Sequence, residues 1–69
     1  MSKQARISKK SMDKRTNRVV IREGEKGKGA EIWAHQYWTD SAPSSNAMYS
    51  ALQAEIESLE ADGYTVAWA

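Results

Sequence analysis

The chemically richest stretch of this sequence is "AEIWAHQYW", residues 30–38, where the single histidine, His35, stands between Trp33 and Tyr37. An imidazole can act as general base, metal ligand or pH switch, but each role needs partners that fix its tautomer and aim it. No nucleophile or carboxylate motif surrounds His35, there is no cysteine, and no zinc-type Cys/His spacing occurs. No catalytic residue, metal ligand or cofactor is therefore assigned, and an enzyme is not expected. Glu55, Glu57, Glu60 and Asp62 gather carboxylates near the C-terminus. Glu57 and Glu60 share a helical face opposite the apolar stripe, which marks a solvated acidic surface and not an acid–base pair. "GEKGKGAE", residues 24–31, is glycine-rich and basic, but it lacks the Gly-Lys-Ser/Thr ending and following helix of a phosphate-cradling loop.

The remaining chemistry is charge, and it is unevenly placed. All ten Lys and Arg lie in residues 1–29 beside only Asp13, Glu23 and Glu25; residues 30–69 hold six carboxylates and no Lys or Arg. The net charge of +1 conceals this polarity. Such a division suits a basic segment that engages nucleic acid, or an acidic surface of its own or of a partner.

The elements that must position these groups follow from pattern. With 69 residues and no cysteine, the chain supports one small domain with a modest core. Residues 1–16 offer only Ile7 and Met12 as sizeable apolar side chains, so they are expected to be a flexible basic arm, with the folded domain spanning 17–69. "RVVIRE" (18–23) is β-branched and predicts a strand; the glycine-rich loop and residues 30–38 complete a hairpin. After Pro43 a helix is expected from Ser44 or Ser45, with Met48, Leu52, Ile56 and Leu59 as its buried stripe and Gly63 as its stop. "YTVAW" (64–68) predicts a third strand. The expectation is an α+β domain of ββαβ order: a three-stranded antiparallel sheet, spatial order 2-1-3, with one helix packed on one face.

Alternation then divides the strands into two faces. The helix-covered face is expected to collect Val19, Ile21, Ile32, Ala34, Trp38, Tyr64, Val66 and Trp68. The open face would carry Arg18, Val20, Arg22, Glu31, Trp33, His35, Tyr37, Thr65 and Ala67. On that assignment Trp68→Ala destabilises the fold, Trp33→Ala spares it, and the arm is dispensable for folding.

The functional expectation is a non-enzymatic module that binds nucleic acid, single-stranded by preference. Bases would stack on Trp33 and Tyr37 beside His35, while Arg18, Arg22, Lys26 and Lys28, with Lys9, Lys10, Lys14 and Arg15 of the arm, would hold phosphates. The alternative is a small inhibitor or adaptor, of the accessory type encoded by phages and mobile elements, docking on a host protein through the open sheet face or the acidic helix. Glu60 and Asp62 favour it, because carboxylates at a helix C-terminus oppose the macrodipole and call for a compensating basic surface, from the arm or from a partner. Burial of the open face in a homodimer is a further expectation. No apolar run reaches a membrane span and no lipidation or signal motif is present, so a cytoplasmic location without membrane association is expected.

Overall fold

Residues Lys3–Ser11 form a strand, β1, in which Ala5 and Ile7 are each 1% exposed. The computed structural model describes residues 3–69. β2 (Thr16–Glu23) runs antiparallel to β1, and β3 (Glu31–Trp38) runs antiparallel to β2. After α1 (Ala42–Ala61), β4 (Tyr64–Trp68) lies parallel to β1. The sheet order is β3-β2-β1-β4.

The small α+β domain with one helix on a sheet is as expected, but the sheet has four strands and is mixed, not three antiparallel strands in the order 2-1-3. β4 does run opposite to β2, yet β1 lies between them. Residues 3–11, expected within a flexible arm, thus supply an inner strand. The physical reason is alternation: Ala5 and Ile7 fall on one side, and Gln4, Arg6, Ser8 and Lys10 on the other. Two apolar side chains suffice for an inner strand that is covered on one side only. The turn to β2 is tied locally, since Asp13 Oδ1 accepts the Arg15 N–H at 2.8 Å and Thr16 O accepts the Met12 N–H at 2.9 Å. The Arg15 N–H is also the main reason that the Asp13 carboxyl lies below its ordinary pKa.

Helix α1 starts at Ala42, ahead of the expected Ser44 or Ser45. Ser41 is its N-cap and accepts the Ser44 N–H at 3.3 Å, while Pro43 sits in the first turn, where an absent N–H costs nothing. Ser44 Oγ in turn accepts the Trp38 N–H at 3.0 Å, joining the helix start to the end of β3. Gly63, at φ 92°, ends the helix in the left-handed region as expected. The stripe is also as expected: Met48, Leu52 and Leu59 are buried with Ile56 packed beside them, against Ala5, Ile7, Val19, Ile21 and Tyr37. The helix crosses between the outer strands β3 and β4 and roofs one side of the sheet. Among the described residues no helix is long and apolar enough to cross a membrane.

The register reverses the expected faces of β3. Val19 pairs with His35 and Ile21 with Trp33, so Trp33, His35 and Tyr37 share the helix side. A bulge opposite Ile21 and Arg22 turns Ile32 and Trp33 both against the core. Tyr37 is 6% exposed, and its hydroxyl accepts from Asn17 Nδ2 at 3.3 Å. Ala34 and Trp38, expected in the core, lie on the uncovered side, with Trp38 55% exposed. Trp68 pairs with Ile7 on the helix side but stays 52% exposed on the short outer strand β4.

Candidate binding face

With the rings beneath the helix, the uncovered side of the sheet is a basic surface built in rows. Arg6 pairs with Arg22, which pairs with Glu31; Ser8 with Val20, then Ala34; Lys10 with Arg18, then Gln36. Four cations therefore surround a short central row and face one carboxylate. Glu31 Oε1 accepts from Arg18 Nη2 at 2.5 Å, a bond that spans the central row from the last row to the first. Val20, in that row, is 1% exposed although no helix covers it, a degree of burial that the aliphatic stems of Arg and Lys provide on such surfaces.

The other two arginines are held by backbone oxygens of the β2–β3 loop, residues 24–30. Glu25 O accepts from Arg6 Nε at 2.7 Å, and Gly29 O accepts from Arg22 Nη1 at 3.3 Å. Both contacts leave guanidinium N–H groups free for an anion while fixing where the group sits. The loop approaches so closely that a Cβ on Gly27, whose φ is 68°, would meet Arg6 Cβ at 2.9 Å. At Gly29 a Cβ would stand 2.5 Å from Glu23 O. These two glycines thus let the loop approach closely enough for its carbonyls to hold Arg6 and Arg22.

The remaining candidates scatter. Arg18, Arg22 and Lys10 are on the basic face; Lys26 and Lys28 are exposed in the loop at one end of it. Lys14 and Arg15 occupy the β1–β2 turn at the other end, where Arg15 Nε lies 3.5 Å from Asp40 Oδ2. Lys9 points to the helix side, level with Val19. Trp33 and His35 are half-buried there and stack on each other at 5.8 Å between centroids, with Tyr37 buried beyond them, so the expected stacking platform is roofed. Arg6, Glu31 and Trp38 were not among the expected site residues. Arg6 was legible as the alternation partner of Lys10, both out of phase with Ala5 and Ile7.

The opposite side of the molecule is acidic. α1 carries Glu55, Glu57 and Glu60, with Asp62 at its C-cap and no basic residue in its last turn. Among the described residues no ion pair joins β1 to these carboxylates, and residues 3–11, expected to fold back on them as part of an arm, lie within the sheet. The polarity seen along the chain is therefore a polarity across the sheet. Among the described residues no group of three His, Cys, Asp or Glu side chains is placed to hold a metal ion.

A shallow groove of about 540 Å³ at the start of β1 and β4 is lined by Lys3, Gln4, Glu23, Gly24, Glu25 and Tyr64. In it the Tyr64 hydroxyl donates to Glu23 Oε1 at 2.6 Å, and Lys3 Nζ lies 5.2 Å from the ring centroid. The bond to the Glu23 carboxylate is the first cause that raises the Tyr64 hydroxyl above its usual pKa of 10.0. A pKa raised on folding contributes stability that is complete below pH 10 and is lost as pH climbs through the folded value. Thermal denaturation should therefore show a steeper alkaline loss in the unaltered protein than in Tyr64→Phe. Lysine titration is common to both chains and cancels in the comparison. Equal slopes would mean that the hydroxyl gains nothing from Glu23.

No protein-family model matches the chain, and neither a curated protein nor a solved structure does.

Proposed function

We propose that this protein binds nucleic acid through the basic side of its sheet, with Arg6, Lys10, Arg18 and Arg22 holding phosphate oxygens. One observation carries the reading: four cations share an uncovered face with a single carboxylate, while the acidic groups of α1 lie on the other side. Arg6 and Arg22 are preset by loop carbonyls, so little side-chain freedom remains to be lost on binding. Lys26, Lys28, Lys14 and Arg15 extend the positive potential beyond both ends of the face and speed encounter with a polyanion.

The test is fluorescence anisotropy of a labelled oligonucleotide at several salt concentrations. Four phosphate contacts give a log–log salt slope of about −3 to −4, which is roughly a sixtyfold to 250-fold loss of affinity between 50 and 200 mM salt. Arg6→Ala with Arg22→Ala should flatten that slope by about two, one per lost phosphate contact. Glu31→Gln should act in the opposite sense, because it frees Arg18 and removes the one carboxylate that phosphate would meet. A gain of about fivefold is expected, the equivalent of an exposed pair worth roughly 1 kcal/mol. If Glu31→Gln weakens binding instead, Glu31 is a positioning residue for Arg18 and not its competitor.

A second reading rests on a separate observation, the carboxylates of α1, which among the described residues form no ion pair and have no basic residue beside them in the last helical turn. A small inhibitor or adaptor would present that surface to a basic patch on a protein. Retention of a protein from nuclease-treated lysate that is lost on Glu57→Lys with Glu60→Lys would favour it over nucleic-acid binding.

A further inference from the structure

We infer that the nucleic acid taken by this face is double-helical and is held by its backbone without reading of sequence. The inference rests on the nucleic-acid reading above and names its substrate class. Single-strand binders combine a basic track with aromatic rings on which successive bases stack. Here no ring stands among the cations. The row between them is Ser8, Val20 and Ala34, and Trp38, the aromatic side chain on this side, is outside the cation rows, opposite Thr16. Trp33 and Tyr37 belong to the other side of the sheet.

The cations themselves form two cross-strand pairs, Arg6 with Arg22 and Lys10 with Arg18. Four residues of strand separate the pairs, about 13 Å at the usual rise of a strand. That span is close to the roughly 12 Å opening of a B-form major groove, so one pair can meet each of the two phosphate rows that rim a groove. The row between the pairs holds only short side chains, Ser8, Val20 and Ala34, which lets both rims approach. The Arg18–Glu31 bond that crosses this row ties its two long side chains to each other, so neither is free to enter the groove and meet base edges. Contacts of this kind position a protein on a duplex but do not specify where.

The described residues extend over 40 × 21 × 14 Å. Their long dimension covers about 12 base pairs at roughly 3.4 Å each, so a 16-base-pair probe offers a complete site. Three labelled probes of that length separate the cases at one salt concentration: a DNA duplex, an RNA duplex, and an unstructured single strand. The expected result is at least tenfold tighter binding of one or both duplexes than of the single strand. Affinity for the preferred duplex should be equal for unrelated sequences and unchanged by Trp38→Phe and Trp38→Ala. Arg6→Ala with Arg22→Ala, and Lys10→Ala with Arg18→Ala, should each weaken it by a similar factor, with melting temperatures checked by circular dichroism. Single-strand binding as tight as duplex binding, quenching tryptophan emission and lost in Trp38→Ala, overturns the inference and leaves the nucleic-acid reading standing. A duplex bound at one sequence only also overturns it. Binding of none of the three probes at 50 mM salt overturns both.

Discussion

Removal of residues 1–14 is expected to leave a chain with no cooperative thermal transition. The deletion takes out β1, an inner strand that pairs with β2 on one side and β4 on the other. It removes Ala5 and Ile7 from beneath the helix and exposes the paired edge of β2, where Val19 and Ile21 are fully buried. β4 loses its neighbour in the sheet, and a five-residue strand cannot stay ordered with its backbone groups unpaired. A domain of this size has only roughly 3–10 kcal/mol of stability in total, so the loss of one strand and the detachment of another exceed it. Circular dichroism during heating checks this directly. A truncated chain that melts cooperatively near the temperature of the full chain would show that residues 3–11 are an arm after all, and the basic face would lose Arg6 and Lys10 with them.

The same segment explains which parts of the structure were legible in the sequence. The helix was, because four large side chains recur at helical spacing and a glycine ends it; β-branched runs and "YTVAW" likewise marked β2 and β4. β1 was not, because it contributes one large apolar residue, Ile7, and one small one, Ala5, to the core. Counted for hydrophobic content it resembles a solvated tail; counted for alternation its middle is a strand, with Ala5 and Ile7 on one side and Arg6, Ser8 and Lys10 on the other. β1 is also what distinguishes the two sides of the sheet. Without the Arg6 and Lys10 rows, the basic side of β2 had no partner to declare it, and each side of β3 offered aromatic and aliphatic residues. Ile32, Ala34 and Trp38 could be matched to Val19 and Ile21 as readily as Trp33, His35 and Tyr37, and the bulge that sends Ile32 and Trp33 to one side leaves no trace in a period-2 pattern. The charge division, by contrast, survived as a physical property. Placing Glu55, Glu57 and Glu60 in the helix, with Asp62 at its C-cap, and most of the basic residues in β1, β2 and their loops converts an asymmetry of sequence into one of space.

The face of β3 is also where single substitutions discriminate most sharply. Tyr37→Ala should destabilise the protein by about 3–5 kcal/mol, as large aromatic truncations in a packed core do. The side chain is 6% exposed beside the helix stripe, and its loss leaves the Asn17 amide without the hydroxyl that accepts from it. Trp33→Ala should fall below that, because the ring is only half-buried at the outer strand and one side of it is stacked on His35. Trp68→Ala should cost least of the three: the ring is 52% exposed on β4, so truncation opens no enclosed cavity. Urea denaturation of the three variants, with matched slopes to confirm that each unfolds as a unit, ranks them. The order Tyr37, Trp33, Trp68 follows from a register in which Val19 faces His35 and Ile21 faces Trp33. If Trp68→Ala unfolds the chain while Tyr37→Ala is tolerated, β3 is turned over. The aromatic rings would then stand among the arginines, and a single strand stacked on Trp33 and Tyr37 would become the better ligand for the face.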